Sequence, residues 1–137
     1  MPRTNNDPRS PAEFRTMREI LGVSGPALAD RLGVRGRTQR YWDLKTVAPD
    51  AAWDILDGQI EWIEQAVDEI LNDPRSTSGN DQVHLIVYPN DTLAAAAGIL
   101  VPASWHRAAI GHIALALRAE GWDCRIDYPP PTTLINE

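Results

Sequence analysis

Cysteine is nearly absent: Cys124 is the only one in 137 residues. No internal disulfide can form within the chain, and a reducing cytoplasm is its natural setting. A zinc set is excluded with it, because His84, His106 and His112 are scattered, and a spacing of six keeps His106 and His112 off a common helix face. The opening MPRTNNDPRSP lacks the apolar core of a signal peptide. The longest run of small apolar residues, Leu93 to Ala103, is broken by Gly98 and Pro102 and is too short to span a bilayer. No glycine loop cradles phosphate, since Gly33-Val34-Arg35-Gly36 has neither the spacing nor the lysine. Glu61, Glu64, Asp68 and Glu69 read as a solvated helix face rather than as paired catalytic acids. These absences lead us to expect no metal, no cofactor, no membrane partner and no enzymatic activity.

What the chain does have is a core and a divided charge. Hydrophobic residues make up 43%, enough to pack a globular interior. The net charge of −6 argues at first against nucleic acid. That average hides a split. Residues 1–48 carry nine Arg and Lys against five Asp and Glu, a net of +4, while residues 49–137 carry four against fourteen, a net of −10.

The basic third holds the most informative segment, Leu28 to Asp43, LADRLGVRGRTQRYWD. It reads as a helix, a glycine turn and a basic second helix, the outline of a helix-turn-helix. Leu28 and Leu32 give the first helix an apolar face, and Ala29, four before Gly33, allows close helix approach. Gly33 supplies a turn position with positive φ, and Val34 points back to the core. Upstream, Ser10, Pro11 and Glu13 predict a capping box, followed by a helix with Phe14, Met17, Ile20 and Leu21 on one face, ending at Gly22. Ser24 and Pro26 open the next helix.

After a bend over Thr46 to Pro49, a long helix is predicted from about Asp50 to Leu71. Trp53, Leu56, Ile60, Ile63, Val67 and Ile70 form its apolar stripe, broadened by Ile55, Trp62 and Leu71 and weakened by Gly58. That stripe is wider than a helix-turn-helix needs for itself. Residues 72–82 have the composition of a linker. Val83 to Tyr88 then predicts a strand, Asp91 caps a short helix over Thr92 to Ala97, and Pro102 to Glu120 predicts a helix with Trp105, Ile110, Ile113 and Leu117 inward. Trp122 to Tyr128 alternates as a second strand, with Trp122, Cys124, Ile126 and Tyr128 on one face.

The expected fold is mainly α. It comprises an N-terminal helix-turn-helix bundle with its long helix (residues 10–71) and a small α+β module (83–128), between flexible ends at 1–9 and 129–137. Two strands are marginal as an independent sheet, so pairing with a second copy is the economical arrangement. Val83, Leu85, Val87, Trp105, Ile113, Trp122, Cys124 and Ile126 are the residues expected at such a dimer interface.

If Gly33 is the turn, Arg35, Gly36, Arg37, Arg40, Tyr41 and Leu44 lie best placed to face a major groove. Arg37 and Arg40, three apart on one helix face, can each meet a guanine bidentately. Thr38, Tyr41 and Lys45 suit phosphate oxygens, and Ser24, with the N–H groups opening its helix, can hold another phosphate. Trp42 falls on the inward side and is assigned to the core.

LADRLGV followed by Tyr41-Trp42-Asp43 resembles the Xre/Cro-type helix-turn-helix. The fuller likeness is to the anti-CRISPR-associated repressors and related YdiL-like regulators, in which a YWE-type ending is followed by a helical segment opening with Pro–Asp, here Pro49-Asp50. It spans about residues 12–128, with specific motifs only in the first third. The resemblance implies a homodimeric repressor of its own operon that binds double-stranded DNA at an inverted repeat, and some members also bind their transcript RNA. It makes Arg37, with Arg40 and Tyr41, the leading base readers. Two positions depart from the pattern. Gln39 stands where an apolar or aromatic residue packs on the first helix, so either the register shifts or Gln39 is partly exposed and reaches an adenine. Lys45 stands near where such proteins carry Gly. The rival expectation from another class is an antitoxin-like interaction module, whose Trp105, Trp122 and Tyr128 would form an exposed partner face.

Overall fold

The computed structural model describes residues 8–73 and 82–130. The expected arm over residues 1–9, the linker over 72–82 and the tail over 129–137 thus fall largely outside the described residues. The fold is mainly helical, with a small two-stranded parallel sheet near its C-terminal end. The chain divides into two compact units between Gln59 and Ile60, inside the long helix rather than after it.

In the first unit, α1 (Pro11–Ile20) starts from the expected capping box. The Glu13 N–H donates to Ser10 Oγ at 3.1 Å, and the Ser10 N–H donates to the Glu13 carboxylate at 3.2 Å. The α1 core face is Phe14, Arg18 and Leu21, whereas Ile20, expected inward, is exposed. The cause is helical phase: 14, 18 and 21 step by four and three, and Ile20 sits two residues beyond Arg18, on the far side of the helix. α2 (Gly25–Leu32) is capped by Ser24, whose Oγ accepts the Ala27 N–H. It closes at Gly33, whose φ of 67° is what glycine tolerates without penalty. α3 (Gly36–Leu44) follows, then α4 (Asp50–Asn72). Phe14 stands edge-on to Trp42 and Trp53, with ring centroids 6.2 and 5.3 Å away, and Leu28, Ala52 and Leu56 complete the interior. Arg9 lies 3.7 Å over the Trp53 ring and grips Asp57 with two hydrogen bonds of 3.0 Å.

In the second unit, β1 (Gln82–Ile86) and β2 (Asp123–Asp127) pair in parallel, Val83 opposite Cys124 and Leu85 opposite Ile126. Both strands are shorter than their apolar runs: Val87, Tyr88, Trp122 and Tyr128 lie beyond them. A parallel pair demands a crossover, supplied by α5 (Asp91–Ala96) and α6 (Ala103–Ala119). Asn90, not Asp91, caps α5, its side chain accepting the Leu93 N–H at 2.9 Å. The Asp91 carboxylate instead accepts the Ala103 N–H at 2.7 Å, satisfying a donor at the start of α6 that Pro102 has no side chain to cap. Val87, Ile110, Ile113 and Leu117 form the core, and Ile63, Val67 and Ile70 of α4 pack against it. Trp62, one residue from Ile63 and so about 100° around the helix, is exposed rather than part of the stripe. No helix among the described residues is long and apolar enough to cross a membrane.

His106 is buried between the rings of Trp62 and Tyr88, with centroids 5.9 and 5.7 Å away, and its Nδ1 has no hydrogen-bond partner among the described residues. Burial, reinforced by the neighbouring Arg107 charge, pushes its pKa below the ordinary imidazole value. The unfolded chain then takes up a proton that the native state refuses. Stability is therefore full above the unfolded pKa and falls with decreasing pH. Urea unfolding should show that loss setting in as pH falls through about 6.5, the ordinary imidazole value, and His106→Phe should flatten it. An unchanged pH slope in that variant would place the titration elsewhere.

Candidate nucleic-acid interface

Helical phase divides α3 into two sides. Gln39, Trp42 and Asp43, at intervals of three and four, turn inward. Arg37, Thr38, Arg40 and Tyr41 turn outward, with Leu44 and Lys45 exposed at the end of the helix and Arg35 and Gly36 exposed at its start.

The inward side is built on a buried polar network. Arg18 of α1 grips Asp43 with both ends of its fork, Nη2 to Oδ2 at 2.8 Å and Nε to Oδ1 at 3.2 Å, and Nη1 donates to the Val23 carbonyl at 2.9 Å. Both charged side chains are only 10% exposed. Gln39 Nε2 donates to Asp43 Oδ1 at 2.9 Å. This corrects the expectation that Gln39 touches DNA. At 2% exposure it occupies the apolar packing position itself, without any shift of register, because Asp43 satisfies its amide. Its Oε1 lies where a Cβ on Gly25 would fall, so α2 approaches α3 there only because residue 25 is glycine.

The outward side carries cations organised by one ring. Arg37 donates from Nε and Nη2 to the Tyr41 hydroxyl at 3.2 and 3.0 Å. Its guanidinium carbon stands 5.6 Å from the Tyr41 ring centroid, and Lys45 Nζ stands 5.7 Å from the same point. Arg40 reaches back toward Gly36, where an added Cβ would come within 3.3 Å of its Nη1. Arg35 precedes the helix in extended backbone and makes no side-chain cap. Lys45 ends α3 with a negative φ of −134°, so this exit needs no glycine. Asp43 is the only acid in α3, and it is turned inward onto Arg18. Ser24 is exposed at the start of α2, with its hydroxyl occupied as a cap.

The residues expected at a dimer interface separate into three groups. Trp105 and Ile113, each 1% exposed, and Val87 are consumed by the chain's own interior and are not available to a partner. Val83, Leu85, Trp122 and Cys124 are half-buried, and Ile126 is exposed. The partner face of Trp105, Trp122 and Tyr128 fails for the same reason: helical phase turns Trp105 into the core, leaving Tyr128 exposed and Trp122 half-covered. Burial, reinforced by Asp123 and opposed by Arg118, raises the Cys124 thiol pKa, so it is not an activated thiolate. Among the described residues, no group of His, Cys, Asp and Glu is arranged to hold a metal ion.

Sequence reasoning missed Arg18 and Gly25. The signal for Arg18 was present, a charged residue four after Phe14 on an apolar helix face, but its partner lies 25 residues away. The chain matches no protein-family model and no curated protein.

Two substitutions test the network. Asp43→Ala strands Arg18 in a site that is nearly dry and should cost about 3–5 kcal/mol in urea denaturation; a loss below about 1 kcal/mol is what a solvent-screened pair would give. Gly25→Ala should cost about 1–3 kcal/mol by overpacking. Combining it with Gln39→Ala should cost less than the sum of the two, and strict additivity would mean that Gln39 is not what fills the space.

Proposed function

We propose that this chain is a homodimeric, sequence-specific DNA-binding transcriptional repressor of the Xre/Cro helix-turn-helix kind, most like the anti-CRISPR-associated and YdiL-like repressors. It acts in the cytoplasm on an inverted-repeat operator of its own operon, by binding and not by catalysis. The observation that carries this reading is the two-sided α3: one side locked to α1 through Asp43, the other exposing Arg35, Arg37, Arg40 and Lys45 with no acidic neighbour on the helix.

In this reading α3 enters the major groove, and the two copies present it about 34 Å apart, one turn of the duplex. Arg37 is held over Tyr41 with its planar fork oriented before contact, so little side-chain freedom is lost when it exchanges the phenol for the O6 and N7 of a guanine. Arg40 is the second base reader. Arg35, Thr38 and Lys45 meet phosphates, and Ser24 with the opening N–H groups of α2 meets one more. The acidic remainder of the sequence limits indiscriminate adhesion to nucleic acid.

Selection from a random duplex library with the purified chain should enrich a palindrome. On that site Arg37→Ala should cost about 1–3 kcal/mol and relax the preference at one base position, leaving affinity for random duplex unchanged at fixed salt. No enrichment, or preferential binding of the leader transcript, overturns the proposal. An equal loss on every sequence reduces Arg37 to a phosphate contact.

A further inference from the structure

Among the described residues the sheet of the second unit has two strands and therefore two unpaired edges. On β2 the direction of the backbone groups follows from one hydrogen bond. The Val87 N–H donates to the Asp127 carbonyl at 3.0 Å, so residue 127 directs its backbone toward β1. Strand alternation directs 123 and 125 the same way and turns the N–H and C=O groups of Cys124, Ile126 and Tyr128 outward, where they meet no backbone partner among the described residues. The face of β2 that carries these three side chains is the one covered by α6, since the Cys124 thiol reaches the Ala114 carbonyl. Cover is incomplete. An open groove runs between α6 and β2, lined by Ala108, Gly111, Leu115, Arg118, Cys124 and Ile126. Leu115 is 64% exposed, Ile126 45% and Tyr128 56%. An unpaired edge beside exposed apolar side chains is a template for another strand.

We infer that this edge pairs antiparallel with β2 of a second copy about a two-fold axis at Ile126, giving a four-stranded sheet in the order β1, β2, β2, β1. The inference rests on the dimeric reading above and names the surface that forms it. Charge and the free backbone groups together select the register. A two-fold at Cys124 asks the Trp122 N–H, which already donates to the Leu117 carbonyl at 3.0 Å, to pair with Ile126 of the second copy. A two-fold at Arg125 sets that residue against itself and Asp123 against Asp127 twice over, three like-charge pairs in contact. A two-fold at Asp127 sets that carboxylate against its own copy and asks Pro130, which has no N–H, to sit in a hydrogen-bonding position. A two-fold at Ile126 does none of these. It sets Arg125 opposite Asp127 of the second copy twice over, at the narrow, non-hydrogen-bonded positions where facing side chains are closest. Within one strand these two groups are already 3.9 Å apart. On the α6 face the same register sets Ile126 against Ile126 and Tyr128 opposite Cys124, beside the groove. Pairing ends at Pro129 and Pro130, the next residues of the chain.

Sedimentation velocity on the full chain tests this surface. Arg125→Asp and Asp127→Arg should each raise the dimer dissociation constant at least about tenfold, and the double variant, with the charges exchanged, should recover most of the loss. Independently, Cys124→Ser combined with Ile126→Cys should form an interchain disulfide on mild oxidation, because the paired Cα atoms would lie about 5.5 Å apart. A wild-type chain that stays monomeric at every concentration overturns both the pairing and the dimeric reading. A wild-type dimer that ignores the single charge reversals, or yields no cross-link at 126, overturns this edge alone and leaves the dimer standing.

Discussion

The helix-turn-helix depends on one buried ion pair. Arg18 and Asp43 are separated by 25 residues and by two turns of chain, yet they meet at 2.8 Å in a site that excludes most water. A buried pair is seldom a large net source of stability, because desolvating both charges offsets most of their attraction. What it fixes is rotation. Apolar packing alone would accept α3 over a range of angles about its axis. A forked guanidinium bonded simultaneously to a carboxylate and to the Val23 carbonyl accepts one. With Asp43 inward, Gln39 and Trp42 are inward too, and the remaining residues of the helix have only the outside.

That constraint gives the exposed side its charge. Four cations stand on or beside a nine-residue helix, and the one carboxylate that could neutralise them is already engaged in the interior. Tyr41 then serves as a platform, accepting hydrogen bonds from Arg37 and standing near Lys45. Long cationic side chains normally sample many rotamers, and ordering them costs free energy on binding. On the DNA-binding reading proposed above, holding Arg37 against a half-exposed ring meets part of that cost in the free protein.

The second unit solves a different problem. Two five-residue strands cannot stand alone, so the parallel pair leans on α6 and on the apolar side of α4 from Ile63 onward. The core this produces absorbs Trp105 and Ile113 completely. Outside that core stand the edge of β2 and the groove beside it, whose apolar side chains the described elements leave uncovered.

Local order was legible in the sequence because its causes are local. The capping box at Ser10, the turn at Gly33, the ends of α4 and α6 and the burial of Trp42 each depend on residues within a turn or two of helix. So does the division of charge, which a count along the chain reveals. The structure decided the rest, and each instance turns on a partner far away in sequence. Gln39 is a polar residue whose fate depends on whether a distant group satisfies it, and Arg18 and Asp43 supply that answer only after α1 and α3 have packed. Trp105, Val87 and Ile113 have the composition of an interface as much as of a core, and only the crossover of α5 and α6 assigns them to the interior. The sequence by itself determined where helices begin and end and where positive charge gathers. Tertiary structure determined which side of each element faces water, because burying a polar or apolar side chain is settled by what meets it, and that is a property of packing rather than of the chain.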